Sequence, residues 1–255
     1  MSTEPILEIR DLTRRFQGLV AVNAVSARIE AHKLIGLIGP NGAGKTTLFN
    51  LISGFITPSD GDILFEGRSL VGLKPHQIAR LGIGRTFQNL RTLPNMTVFD
   101  NVSIGALAAF GHSPWQALFR GQGAVSRRIN ELTHEVLDQV GLSGQAGELA
   151  ANLSYGRRKY LEIARALATR PKLLILDEPA AGLNDTETAK LAEFITGLVA
   201  QGMTILLVEH DMPLVMGICD RVIVLASGAK IADADPETVQ RDPAVLESYL
   251  GTRDA

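Results

Sequence analysis

The sequence is short of the features that would send its interpretation elsewhere. It holds one cysteine, Cys219, so no internal disulfide is available and a reducing compartment suits it. A lone small residue after Ile218 reads as core filling. Long apolar runs are missing. The longest, at 34–38, 173–176, 205–208 and 222–226, are strand-sized, and none approaches the ~20 residues of a membrane span. The opening MSTEPILEIRDL carries acids and no apolar run, so no secretory leader is expected. Charge of one sign is missing too. With 25 basic and 27 acidic residues the net charge is −2, which gives no footprint for nucleic acid. There is no internal repeat, low-complexity tract or heptad run. What is present is 255 residues at 45% hydrophobic content, ample for the core of one large domain or two small ones.

The richest stretch is LIGLIGPNGAGKTT, 34–47. An apolar strand runs into Gly39-Pro40-Asn41-Gly42-Ala43-Gly44-Lys45-Thr46-Thr47, and a helix is expected to follow. The spacing G-x-x-x-x-G-K-[ST], with its strand in front, is that of a phosphate-binding loop. Polyphosphate is densely anionic, so backbone N–H groups must come close to it. The glycines let them, and the helix start aims its positive end at the anion. Lys45 supplies a mobile charge for β- and γ-phosphates, and the Thr46 hydroxyl is the expected Mg²⁺ ligand.

Ahead of that loop, 6–30 read as strands with turns. Phe16 lies 23 residues before Gly39, where an aromatic either stacks on adenine or simply packs. After it, 58–62 (PSDGD) read as a turn, 63–65 as a short strand, and 75–81 as a helix opened by Pro75. Strand 83–85 leads to Gln88, an amide suited either to Mg²⁺ and water or to plain surface. Residues 97–140 are helical in pattern. Helices are expected at 98–109 and 127–140, with a loop at 111–123 holding the only tryptophan, Trp115, which reads as packing. Ser154 caps a helix running to about Ala168, and Gly156 beside it makes a second anion site.

Leu173-Leu174-Ile175-Leu176-Asp177-Glu178-Pro179 is an apolar strand delivering two acids at its C-terminal edge, where open α/β sheets bind ligands. Asp177 suits a contact to Mg²⁺, usually through a water. Glu178 suits polarising the attacking water as general base. A helix follows at 184–202 with Asn184 as cap, then strand 203–208, and just past its end His210, a candidate γ-phosphate contact. A hairpin about Ser227-Gly228 and a helix at 242–250 complete the chain.

Taken together these motifs resemble the ATP-binding cassette (ABC) ATPases of membrane transporters over nearly the whole length. GPNGAGKTT is similar to Walker A, Gln88 to the Q-loop, Leu153-Ser154-Tyr155-Gly156 to the signature, 173–179 to Walker B, 181–184 to the D-loop, and His210 to the switch histidine. Phe16 falls at the adenine-stacking aromatic. Tyr155, Arg157 and Asn184 depart from the commonest pattern. The same departures, with RTFQNLRTLPNMTVFDNV and the ending DPAVLESYLG, look like the branch serving uptake of branched-chain and other hydrophobic amino acids.

That resemblance implies one ABC ATPase domain over 1–255. Its fold would be α/β: a P-loop NTPase (RecA-like) core with a mostly parallel sheet and an N-terminal antiparallel β subdomain, from 1–90 and 160–255. An α-helical subdomain would be inserted at about 91–159. It further implies ATP and Mg²⁺ as cofactors. Ser154 and Gly156 would act across a dimer on the partner subunit's nucleotide. Gln88, Glu178 and His210 would serve hydrolysis, and Thr46, Gln88 and Asp177 the metal. The implied partners are two transmembrane permease subunits, a second ABC ATPase subunit (a paralogue or another copy) and, indirectly, a substrate-binding protein. The implied location is the cytoplasmic face of the inner membrane. A urea importer, or a soluble cassette ATPase outside transport, are the alternatives.

Overall fold

The computed structural model describes residues 5–87, 90–110 and 122–250. Gln88 and Trp115 lie outside the described residues. The chain forms two compact units, one of Met1–Ile78 with Thr188–Ala255 and one of Ala79–Glu187.

The first unit holds two sheets. Strands β1 (Leu7–Phe16) and β2 (Leu19–Ile29) form an antiparallel hairpin. With β4 (Asp60–Phe65) and β5 (Arg68–Ser69) they give the order β2-β1-β4-β5. Leu7, Ile9 and Leu12 of β1 are buried while Arg10 and Asp11 are exposed, a loose alternation that suits a sheet wet on one face. The turn expected at 58–62 gives way at Asp60 to β4. Gly61 sits at φ 84° inside the strand, opposite a register shift in β1 between Arg10 and Thr13. A bulge therefore absorbs the turn residues.

In the second sheet β3 (Leu34–Ile38) lies parallel to both β8 (Thr204–Val208) and β9 (Arg221–Ala226), and β10 (Ala229–Ala234) closes a hairpin on β9. Every residue of β3 and β8 is buried, as continuous apolar strands covered on both faces must be. Arg221 ties the hairpin to the end of β2. Its guanidinium donates to Glu30 at 2.9 Å and to Asp233 at 2.6 Å. Helix α1 (Lys45–Ile52) follows β3. Two short helices, α7 (Met212–Ile218) and α8 (Pro236–Arg241), were not expected from the pattern. Each is opened by an aspartate cap, Asp211 or Asp235, with a proline in its first turn. Helix α9 (Pro243–Leu250) ends the described chain. Cys219 is buried, and burial pushes its thiol up to about 12.

In the second unit β6 (Ile83–Arg85) pairs in parallel with β7 (Leu173–Asp177), which is buried throughout. Helices α3 (Val98–Ala109), α4 (Gln122–Gln139) and α5 (Tyr155–Leu167) supply the rest. Thr97 caps α3 by accepting from the Asp100 N–H. Asn101, fully buried on α3, satisfies its amide on the preceding loop: Oδ1 accepts from Leu93 N, and Nδ2 donates to Leu93 O and Thr97 O. That is how a buried polar side chain is tolerated. Leu132, Val136 and Leu137 form the apolar stripe of α4, and Ser103 meets Thr133 across α3 and α4 at 3.2 Å. Helices α2 (Pro75–Leu81) and α6 (Asp185–Ala200) carry the chain from one unit to the other.

Candidate functional site

In the first unit the loop 39–47 leaves the C-terminal end of β3 and enters α1 at Lys45. Its backbone is held from outside. Gly39, at φ 150°, lies so near Leu225 O that a Cβ would stand 2.1 Å from it, and a Cβ on Gly44, at φ 101°, would stand 2.4 Å from Ala21 O. Any side chain at either position collides with main chain, so both glycines are obligatory. The β9–β10 turn braces the loop further, with Gly228 N donating to Ala43 O at 3.1 Å.

The start of α1 fits an anion. Its cap is Gly44, with no side-chain hydrogen bond, and no acidic residue stands in the first turn. The early N–H groups are thus left for a ligand rather than consumed by a cap. Lys45 is buried, and its ammonium donates to the carbonyls of Gly39 at 2.6 Å and Pro40 at 3.0 Å. Asn41, Gly42 and Thr46 are exposed, while Pro40 and Thr47 are half-buried. His210 is exposed just beyond the end of β8, the parallel neighbour of β3, so it and the loop leave adjacent strand ends. Buried Glu209 accepts the His210 N–H at 3.1 Å. Phe16, 39% exposed at the end of β1, carries the Arg14 guanidinium 4.5 Å from its ring centre.

In the second unit the acids stand at the end of β7. Asp177 is buried and accepts from Arg85 Nη2 at 3.0 Å, with both side chains under a tenth exposed. Its own N–H donates to Thr86 Oγ1 at 3.1 Å, so the end of β6 holds both its carboxylate and its backbone. Burial raises the Asp177 carboxyl, against the lowering effect of Arg85. Burial likewise lowers the Arg85 guanidinium, against Asp177. Each charge is disfavoured by the interior and sustained by the other. Glu178 is half-buried and sits at φ 50°.

Helix α5 opens as expected, with Ser154 Oγ accepting from Arg157 N at 3.4 Å. The departures noted in the sequence have contacts of their own. The Tyr155 hydroxyl donates to Ala181 O at 3.2 Å, and Arg157 Nη1 donates to Gly141 O at 3.1 Å. Asn184 builds a reciprocal capping box with Glu187: its Oδ1 accepts from Glu187 N at 3.0 Å, and Glu187 Oε2 accepts from Asn184 N at 3.1 Å. Gly156 is half-buried in the first turn. Arg85 and Thr86 carry no functional signal in the sequence, and Lys159 stands there only as part of the basic run Arg157-Arg158-Lys159. Lys159 is a buried amine whose Nζ donates to Glu178 O at 3.1 Å. Its charge amid the apolar spacing of α5 was the available signal.

The Thr46 hydroxyl in the first unit and the Asp177 carboxylate in the second are each a hard oxygen donor of the kind Mg²⁺ takes. Among the described residues no group of three or more His, Cys, Asp or Glu could hold a metal unaided.

Comparison with known proteins agrees with this chemistry. Residues 22–181 match the family model described as ABC transporter, and 229–255 match the one described as branched-chain amino acid ATP-binding cassette transporter. The chain is 43% identical to the high-affinity branched-chain amino acid transport ATP-binding protein BraF of Pseudomonas aeruginosa, covering 98% of this chain and 99% of that protein. It is 42% identical to LivG of Escherichia coli over the same shares. A solved ATP-binding cassette of an ABC transporter, in its ADP conformation, superposes with a TM-score of 0.85 at 33% identity, covering 98% of this chain and all of that one.

Proposed function

The chain belongs to the ATP-binding cassette transporter family, with its P-loop NTPase α/β fold, and from that premise we propose that it is the ATP-hydrolysing subunit of a branched-chain amino-acid importer. The observation that carries the substrate class is likeness to branched-chain ATPases along the whole chain, including the C-terminal 229–255.

In this reading ATP lies on loop 39–47. The N–H groups at the start of α1 take its phosphates, and Lys45 exchanges its loop carbonyls for β- and γ-phosphate oxygens. Phe16 faces the adenine. Mg²⁺, when bound, neutralises charge developing on the phosphates, with Thr46, Gln88 and Asp177 as the residues that would hold it or its waters. Glu178 accepts a proton from the attacking water, and His210 donates toward the γ-phosphate. Ser154 and Gly156 bind the γ-phosphate held by a second ATPase subunit, so hydrolysis needs a dimer.

The proposed domain organisation is a single cassette over 1–255 with an α-helical subdomain at about 91–159. Among the described residues no helix is long and apolar enough to cross a membrane. By likeness to the branched-chain transport ATP-binding proteins, the proposed place is peripheral, on the cytoplasmic face of the inner membrane, docked on two permease subunits that a substrate-binding protein serves.

Affinity purification of the tagged chain from gently solubilised native membranes tests this. Two multispan proteins, with a second ATPase of the same branch, are expected, and the binding protein encoded beside them should bind leucine, isoleucine or valine. Recovery with ribosomes or chromatin and no membrane protein would overturn the transport reading. A neighbouring binding protein specific for urea would overturn the substrate class.

A further inference from the structure

Glu178 occupies a backbone conformation that its sequence disfavours twice. Its φ of 50° is left-handed, which a residue with a Cβ adopts at a cost. It also precedes Pro179, and a residue before proline is pushed toward extended conformations. Such a conformation persists only where its surroundings over-determine it. Local bonding supplies one restraint: Ala181 N donates to Glu178 O at 3.3 Å, closing the turn 178–181.

The remaining restraints come from the first turns of α5. Lys159, 3% exposed, donates its ammonium to the same Glu178 carbonyl at 3.1 Å. Tyr155 donates its hydroxyl to Ala181 O at the other end of the turn, at 3.2 Å. The Tyr155 ring lies over Gly182, close enough that a Cβ there would come within 2.9 Å of Cε1. The Lys159 ammonium sits 5.7 Å from the centre of that ring, so the two side chains form one assembly. The lysine also acts electrostatically on the carboxylates of Asp177 and Glu162, which explains how an ammonium is tolerated there.

We propose that Lys159 and Tyr155 are positioning residues that staple the turn 178–181 to helix α5 and so hold the Glu178 carboxylate where it can take the proton of the attacking water. The staple lies within one chain and needs no nucleotide. It gives Tyr155, a departure from the commonest signature, a task distinct from phosphate binding by Ser154. The inference rests on the reading of Glu178 as the general base.

The test uses the full chain, together with its co-purified second ATPase subunit wherever turnover is measured. Lys159→Met keeps the length and apolar stem but removes the donor, Lys159→Arg keeps a cationic donor, and Tyr155→Phe removes only the hydroxyl. Lys159→Met should lower kcat for MgATP by ~10- to 100-fold, the scale of a small misplacement of a reacting group. KM should change by less than about twofold, because the phosphate loop is untouched. Amide exchange at Ala181 should speed up by about tenfold as the turn loosens. Lys159→Arg should restore both readouts in large part, and Tyr155→Phe should give the same pattern at roughly threefold. Normal Ala181 exchange and kcat in Lys159→Met, or losses that arginine does not rescue, would overturn the staple. If Lys159→Met does not fold, Tyr155→Phe decides by the same two readouts. Glu178→Gln, measured alongside, keeps the two ideas apart. Normal turnover there removes the base assignment, whereas the exchange at Ala181 still reports on the staple.

Discussion

The phosphate loop of the first unit and the acid edge of the second are built by opposite means. The loop is main chain. Gly39 and Gly44 are fixed by close approach to carbonyl oxygens, Ala43 is braced by Gly228, and α1 starts without a side-chain cap. The acid edge is side chain: Arg85 on Asp177, Lys159 on Glu178, Tyr155 on Ala181. A site made of backbone tolerates few residue types, because a side chain at Gly39 or Gly44 would collide with main chain. A site made of side chains can be rebuilt with other partners.

The sharpest way to separate the two is Glu178→Gln. Turnover should fall by about 10²–10⁴-fold, the usual worth of a positioned base, while MgATP affinity by calorimetry stays near normal. Retained turnover would remove Glu178 from the chemistry. Next comes Arg85→Met, which leaves a buried carboxylate without its cation. Breaking one side of such a pair costs about 3–5 kcal/mol, seen as a lower midpoint in chemical denaturation. An unchanged midpoint would mean that the acid edge does not depend on this pair. Lys45→Ala probes the cationic side chain of the loop. Loss of charge-assisted bonds worth about 1.5–3 kcal/mol should weaken ATP binding roughly 10- to 100-fold. Unchanged affinity would make the loop wholly a backbone device, or no nucleotide site at all. The smallest effect is Asn184→Ala, which breaks the capping box of α6 at about 1 kcal/mol. In a chain of this size that is ~2–4 °C of melting temperature, with ATP affinity unaltered.

The same contrast explains what could be read from the sequence. Loop 39–47 was legible because steric necessity leaves glycine no substitute, and strands β3, β7 and β8 because parallel strands buried on both faces are continuous apolar runs. Helix α3 was legible from its helical pattern, and the caps Ser154 and Asn184 from capping chemistry. The Asp211 and Asp235 caps of α7 and α8 were equally open to view, but six or seven residues are too few to show a period. The bulge at Gly61 was hidden because a glycine between aspartates signals a turn whether or not a partner strand continues past it. Arg85 and Lys159 were hidden for a different reason. A cation in an amphipathic stretch ordinarily lies at the surface, and only tertiary packing turns these two inward.

The buried Cys219 has a use at the bench. The thiolate is the species that reacts with maleimides and disulfide reagents, and a thiol pushed up to about 12 supplies almost none of it near neutral pH. A cysteine introduced at any exposed position is therefore, in effect, the sole reactive thiol in the chain. Fluorophores or spin labels can be attached one site at a time in the native background, without first removing a residue whose sulfur would lie 3.1 Å from a Cβ at Gly36 of β3. A pair of such cysteines would give distances within the chain without Cys219 being replaced.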